Sequence, residues 1–218
     1  VLASSPKPLN ILDVGSGTGW LIKQLQAAQP SAWCCALDLS EGMLRSPSAG
    51  ANERVQRVCA DASVLPMASS AFDLVVSNFA LHWCDDPLQV LNELHRVCVP
   101  GGQAFCVIPV SGSLSARGDT RTTGASLLPL ATWQHALAAS PWTLRQADSE
   151  TYEEFHDSPT AWLSTLRALG VTAQRPAASV NALSPRQALQ QLHRRLESAR
   201  EPAGIPLRYE VWRIHLQA

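Results

Sequence analysis

The sequence has no surplus of charge of either sign. Its formal net charge is −1, so it lacks the global basic field that draws a protein to nucleic acid. Long apolar runs are missing too: none approaches the roughly 20 residues of a membrane-spanning helix, and no membrane partner is expected. Lys7, set between Pro6 and Pro8, does not resemble the start of a signal peptide. CxxC pairs, metal-ligand spacings and Ser/His/Asp or Cys/His arrangements are absent. No metal site is therefore expected, and no acid, base or nucleophile is legible. Cys34, Cys35, Cys59, Cys84, Cys98 and Cys106 are scattered, mostly within apolar runs. They read as buried, reduced core residues, which points to the cytoplasm.

What is present is the material of an α/β domain. A chain of 218 residues that is 46% hydrophobic can bury a sizeable core. The residues Ile11-Leu12-Asp13-Val14-Gly15-Ser16-Gly17-Thr18-Gly19 take an apolar strand into a glycine-rich turn. Leu21, Ile22 and Leu25 then recur at helical spacing, and a second apolar run over 33–39 carries Asp38. Ser40 can cap a short helix through Met43 and Leu44. Further strands are predicted over 55–59, 72–77 and 103–109. A helix between the last two has Asp86 as N-cap, Pro87 at its first position, and Leu88, Leu91, Leu94 and Cys98 as its apolar stripe. Pro100-Gly101-Gly102 is predicted to stop that helix. Alternation of strand and helix gives a parallel sheet with helices on both faces. Such a sheet binds ligands at the carboxyl ends of its first strands.

Beyond Pro109 the pattern weakens. Residues 111–126 are small and polar and read as a loop. A helix is predicted over 130–139 and a strand over 151–155. Helices are predicted from Ser158-Pro159 to Gly170 and from Ser184-Pro185, the latter with Leu189, Leu192 and Leu196 on one face. An edge-type strand is predicted over 207–216. Trp142 and Trp162 read as packing residues, and Arg186, Arg194, Arg195 and Arg200 as a basic face. No internal repeat is visible.

The alternating Gly15-x-Gly17-x-Gly19, entered through Asp13, is not the dinucleotide fingerprint G-x-G-x-x-G, which would need glycine where Trp20 stands. It resembles motif I of class I S-adenosylmethionine methyltransferases. Glycines let backbone approach a ligand closely and adopt positive φ. The resemblance implies a Rossmann-like α/β fold, a seven-stranded mostly parallel sheet with an antiparallel C-terminal strand and a small helical lid. One domain is expected over 1–218, with a cofactor-binding half over 1–109 and a substrate-side half over 110–218; the lid is assigned to 110–145 and the segment around 171–205. S-adenosyl-L-methionine is the implied cofactor and S-adenosyl-L-homocysteine the product. Asp13, Gly15, Ser16, Gly17 and Gly19 would hold the methionine part. Asp38, with Leu39 and Met43 after it, would hold the ribose, and Asp61 with Ala62 would read the adenine. Asn78 and His82 would line the reaction end.

Leu37-Asp38-Leu39-Ser40, Leu65-Pro66, Phe72-Asp73-Leu74 and Ser77-Asn78-x-Ala80-Leu81-His82-Trp83-Cys84 resemble the malonyl-acyl-carrier-protein O-methyltransferases of biotin synthesis. Gly112-Ser113-Leu114, Leu127-Leu128-Pro129, Phe155-x-Asp157-Ser158 and Tyr209-Glu210-Val211 extend the resemblance in order along the chain. It implies methylation of the free carboxylate of a malonyl thioester, with a malonyl-bearing acyl carrier protein as partner. A monomer is expected. A carboxylate is already ionised at neutral pH, so methyl transfer to it needs positioning rather than a base.

The chain departs from that family in two places. The family has a longer stretch after Gly-Ser-Leu, with an arginine before its Phe-Leu-Pro, where Ser126 stands here. Arg117, Arg121 and His82 are the candidates to receive the acceptor carboxylate instead. The family also begins with a helical segment over the cofactor that the numbered chain does not contain; if it is absent, weaker cofactor binding is expected. Two other readings stay open: methylation of another small-molecule carboxylate or hydroxyl, and a non-catalytic cofactor-binding partner subunit.

Overall fold

The computed structural model describes residues 8–46, 53–116, 127–168 and 185–218. Its elements run β1 (Asn10–Val14), α1 (Trp20–Ala28), β2 (Trp33–Asp38), α2 (Glu41–Leu44), β3 (Val55–Cys59), β4 (Phe72–Asn78), α3 (Pro87–Val97), β5 (Cys98–Pro109), α4 (Leu130–Ala139), β6 (Thr143–His156), α5 (Pro159–Ala168), α6 (Pro185–Ser198) and β7 (Ile205–Gln217). A 3₁₀ turn, Leu81–Trp83, follows β4. The chain forms two compact units. The first comprises Val1–Ile108, Pro129–Asp148 and Trp212–Ala218, and the second Pro109–Leu128 and Ser149–Val211.

The strands order as β3-β2-β1-β4-β5-β7-β6 in one seven-stranded sheet. In the first unit β3, β2, β1, β4 and β5 are parallel. β7 runs against β5: Gly101 N–H donates to Ala218 O, and Ala218 N–H to Gly102 O. The succession β1, β2, β3 builds outward in one direction, and β4 returns to the other side of β1. This reversal opens a crevice beyond the carboxyl ends of β1 and β4, where α/β sheets take ligands. Ser77 Oγ, buried on β4, donates to Val14 O at 2.9 Å and ties the two strands together there.

Burial explains the strand sequences. Ile11, Cys34, Ala36, Leu74 and Val76 join Ile22 of α1 in one cluster. Leu12, Val14, Cys35, Leu37 and Val75, of opposite parity, are buried as well. Both faces are covered, as a parallel sheet requires. Asp86 caps α3 by accepting from Leu88 N and Gln89 N, with Pro87 at the first turn. The buried stripe of α3 is Val90, Leu91, Leu94 and Val97; Leu88, expected in it, lies one position off and is half-buried. α4 packs on α3. Trp142 Nε1 donates to Leu91 O at 2.8 Å and Trp133 is fully buried. The helix over 130–139, grouped with the lid in sequence, is thus part of the first unit's core.

Two strand expectations need correction. Pro100-Gly101-Gly102 does not separate α3 from β5 but lies inside it: Gly101 takes φ +79°, and the extended backbone pairs with the chain's C-terminal residue. β7 is not an edge strand; it lies between β5 and β6.

In the second unit Leu114, Ala116, Trp162, Leu163, Leu166, Leu196, Ala199, Ile205 and Leu207 form a separate core. Trp162 Nε1 donates to Pro206 O at 3.0 Å. The hydroxyl of buried Ser113 accepts from Glu210 N at 2.7 Å and donates to Glu210 O, so Gly112-Ser113-Leu114 is anchored on β7. Arg117, Arg121 and the expected lid residues 171–184 lie outside the described residues.

Candidate functional site

The glycine turn after β1 is built from backbone. Gly15 N and Ser16 N both donate to Leu37 O at 2.8 Å, and Gly19 N donates to Ser16 O. Gly15, Gly17 and Gly19 take φ of +73°, +54° and +83°, a region that costs L-residues roughly 1–2 kcal/mol. Gly15 is also a close approach: a Cβ there would lie 2.0 Å from Ala80 Cβ, in the segment after β4. Gly15→Ala is expected to destabilise the protein by about 2–4 kcal/mol from backbone strain and overpacking together. A thermal melt beside wild type checks this; an unchanged melting temperature would sink the close-approach argument.

α1 starts with Gly19 as N-cap and no side-chain cap, which leaves the N–H groups of its first turn unclaimed by side chains. Ser16 Oγ is buried with no partner, and so is Asp13 Oδ2 on a side chain 1% exposed. Burial foremost, and the nearby charge of Asp38 second, push Asp13 up to about 7 from 3.8. A buried carboxylate oxygen without a partner leaves a polar group that a ligand's donor could satisfy.

Asp38 closes the turn from β2. Its Oδ2 accepts from Gly17 N and its Oδ1 from Ser40 N, each at 2.8 Å. One site on each oxygen remains, so the carboxylate can still receive a vicinal diol. Ser40 Oγ caps α2 by accepting from Met43 N. Leu39 is 73% exposed beside it, and Met43 is half-buried.

Asp61 follows β3 in a turn in which Ser63 N and Ser63 Oγ both donate to Oδ1. The Ser63 hydroxyl, then its backbone N–H, hold the Asp61 carboxyl below its ordinary range. Its second oxygen is available to an amino group, and Ala62 is half-buried beside it. Arg96 steadies the segment that follows: its guanidinium donates to Leu65 O, Met67 O and Glu93, while Glu93 accepts from Leu65 N. Asn78 ends β4 exposed, and Phe79 takes φ +55° while donating to Val107 O.

His82 sits in the 3₁₀ turn with its ring 4.8 Å from that of Trp83. Its Nδ1 is buried without a partner, and burial pushes its pKa down to about 4. It is therefore neutral at physiological pH. With its imidazole neutral, it offers an N–H donor rather than a cation. Trp20 and Val64, 65% and 67% exposed at the same strand ends, were not singled out in sequence. Their signal is an apolar side chain placed just after a turn at a strand end.

Burial raises Cys84 to about 11 and Cys106 to about 12, so both are protonated at neutral pH. Cys59 is exposed and Cys84 half-buried, against the expectation that all six were core; the other four are buried and none is in a disulfide. Among the described residues no group of three or more His, Cys, Asp or Glu side chains is arranged to hold a metal ion. No described helix is long and apolar enough to cross a membrane.

Comparison with known proteins places the chain in a family. Residues 12–106 match the family model described as "Methyltransferase domain". Over 213 residues the chain is 32% identical to a malonyl-[acyl-carrier protein] O-methyltransferase of Alcanivorax borkumensis, covering 94% of this chain and 72% of that protein. The chain belongs to the malonyl-[acyl-carrier protein] O-methyltransferase family. It is also 32% identical to the biotin biosynthesis bifunctional protein BioHC of Cellvibrio japonicus, over 93% of this chain and 41% of that protein. In fold it is similar to the crystal structure of a putative methyltransferase from Bacillus halodurans: TM-score 0.70 and 17% identity, over 99% of this chain and 95% of that one. This is the Rossmann-like class I architecture expected from motif order, with its C-terminal strand antiparallel.

Proposed function

We propose that this family member transfers a methyl group from S-adenosylmethionine to the free carboxylate of a malonyl group carried as a thioester on acyl carrier protein. The ester would mask the charge for chain extension toward biotin. The observation that carries the reading is the likeness to the Alcanivorax protein along 94% of the chain, well beyond the cofactor turn. The sulfonium supplies an activated methyl group with a neutral leaving sulfide.

The described residues fit that cofactor. Asp13 Oδ2 and Ser16 Oγ, both buried without a partner, suit an amino-acid moiety, and Gly15, Gly17 and Gly19 shape the turn that brings it close. Asp38 suits the ribose diol, with Leu39 and Met43 beside it. The second oxygen of Asp61, with Ala62, suits the adenine amino group. Asn78 and His82 line the acceptor end, and Arg117 and Arg121 are the candidates for the acceptor carboxylate. Because that carboxylate is ionised at neutral pH, the protein's work is to bring it in line with the methyl group and exclude water. We place the enzyme in the cytoplasm, as a monomer.

The test is transfer of labelled methyl to malonyl-acyl carrier protein, with malonyl-CoA and free malonate in parallel. Preferential labelling of the carrier-bound group is expected. Cofactor binding without transfer to any of the three would overturn the acceptor. Preference for free malonate would favour a small-molecule carboxylate methyltransferase.

His82 gives a second check. A lost neutral hydrogen bond costs about 0.5–1.5 kcal/mol, so His82→Ala is expected to raise the acceptor KM by roughly 3–10-fold. Since His82 titrates near 4, that ratio should be constant from pH 6 to 9. A ratio that changes across this range would mean the imidazole acts as a cation.

A further inference from the structure

α6 carries charge that the second unit does not use. Its inner face is apolar: Leu196 is buried and Leu192 packs against the same core. Flanking it, Arg186, Leu189, Gln190, His193 and Arg194 line one stripe at the i, i+3, i+4, i+7, i+8 spacing of a continuous helix face. Leu189 is 46% exposed in the middle of it. Arg186 and Arg194 are exposed and take part in no ion pair or hydrogen bond with the described residues. Arg195 of the same helix is likewise exposed, whereas two arginines outside the stripe are paired. Arg200 is paired with Glu197 at 2.8 Å, and Arg208 with Glu210 at 2.6 Å. In a chain of net charge −1, two arginines without a partner among the described residues, flanking an exposed leucine, are a local feature, not overflow of a generally basic surface.

We propose that this stripe of α6 docks the acidic face of an acyl carrier protein, an inference that rests on the acceptor proposed above. Charge complementarity names the occupant. The two guanidiniums match a partner presenting carboxylates at helical spacing, and Leu189 gives that partner one apolar contact between them. A nucleic acid would find no use for the central leucine.

The experiment compares wild type with Arg186→Glu/Arg194→Glu, using malonyl-acyl carrier protein and malonyl-pantetheine as acceptors. Affinity for the holo carrier is measured separately by anisotropy of the labelled protein. The double variant is expected to raise the carrier KM and Kd by about tenfold or more, with kcat and the pantetheine kinetics unchanged. Added salt should weaken wild-type carrier binding towards the variant's. Arg54→Glu, which changes the net charge elsewhere, should have no effect. Arg186→Gln/Arg194→Gln should give an intermediate Kd, and serves if the reversed variant melts early.

Equal carrier affinity in variant and wild type would overturn the proposal. So would equal losses on both acceptors, or an RNA oligonucleotide that competes with the carrier at comparable affinity. If neither thioester is methylated, the proposed acceptor fails, and carrier anisotropy alone still decides the docking surface.

Discussion

Asp38→Ala is expected to reduce affinity for S-adenosylhomocysteine by roughly 10²–10⁴-fold while the protein still folds. The carboxylate acts twice. It holds the glycine turn by accepting from Gly17 N, and it holds the start of α2 by accepting from Ser40 N. The remaining site on each oxygen is the one we assign to the ribose hydroxyls. Hydrogen bonds to a charged group contribute about 1.5–3 kcal/mol each, so losing two ligand bonds costs about 3–6 kcal/mol, which is the stated range. Asp38→Asn separates the two roles. Its single carbonyl oxygen can accept from Gly17 N or Ser40 N, but its NH₂ group then faces the other N–H. Binding should therefore stay far below wild type although the shape is kept. Titration calorimetry with S-adenosylhomocysteine reads both variants, and circular dichroism confirms their fold. An Asp38→Ala affinity within fivefold of wild type would remove Asp38 from the site.

The residues we propose for the cofactor could be placed from sequence because they lie in local motifs. Gly15, Gly17 and Gly19 are there for backbone conformation, and Asp13, Asp38 and Asp61 stand at strand ends that hydrophobic patterning locates. What sequence could not show is how those groups are occupied. That Asp38 spends one site of each oxygen on backbone, that Asp61 is held by Ser63, and that His82 is neutral all depend on burial and non-local contacts. The later strands were harder to read for a physical reason. β6 is largely exposed along Thr143–His156, so only its aromatic end, Thr151–Phe155, carries a strand signal. The position of β7 inside the sheet is set by pairing with β5 and β6, which alternation along one strand does not encode. Pro100-Gly101-Gly102 read as a stop because proline and glycine end helices; the C-terminal residue of the chain, pairing across it, makes the same residues part of β5.

Asp13→Asn should make the cofactor-free protein more stable and the cofactor bind less well. Burial foremost, with Asp38 second, raises Asp13 in the folded protein to about 7 from 3.8. Between these values the folded state holds a proton that the unfolded state has released. Stability therefore falls as pH rises from about 4 to about 7 and levels off above that. At about 1.4 kcal/mol per pKa unit, the loss across the window is on the order of 4 kcal/mol. The asparagine carries no charge to desolvate and removes the slope. Chemical denaturation of the cofactor-free proteins should show wild type losing stability between pH 5 and 8 while the variant does not, with the variant the more stable at pH 8. Binding moves in the opposite sense. If a cationic group of the cofactor meets Asp13, it favours the ionised carboxylate, so wild type should release a proton on binding at pH 6. That release appears as a dependence of binding enthalpy on the buffer's ionisation heat. The variant should show weaker binding and no such proton release. A variant that gained stability at pH 8 and bound the cofactor unchanged would leave Asp13 a strained core residue with no ligand, and a variant that lost stability at both pH values would contradict the burial argument itself.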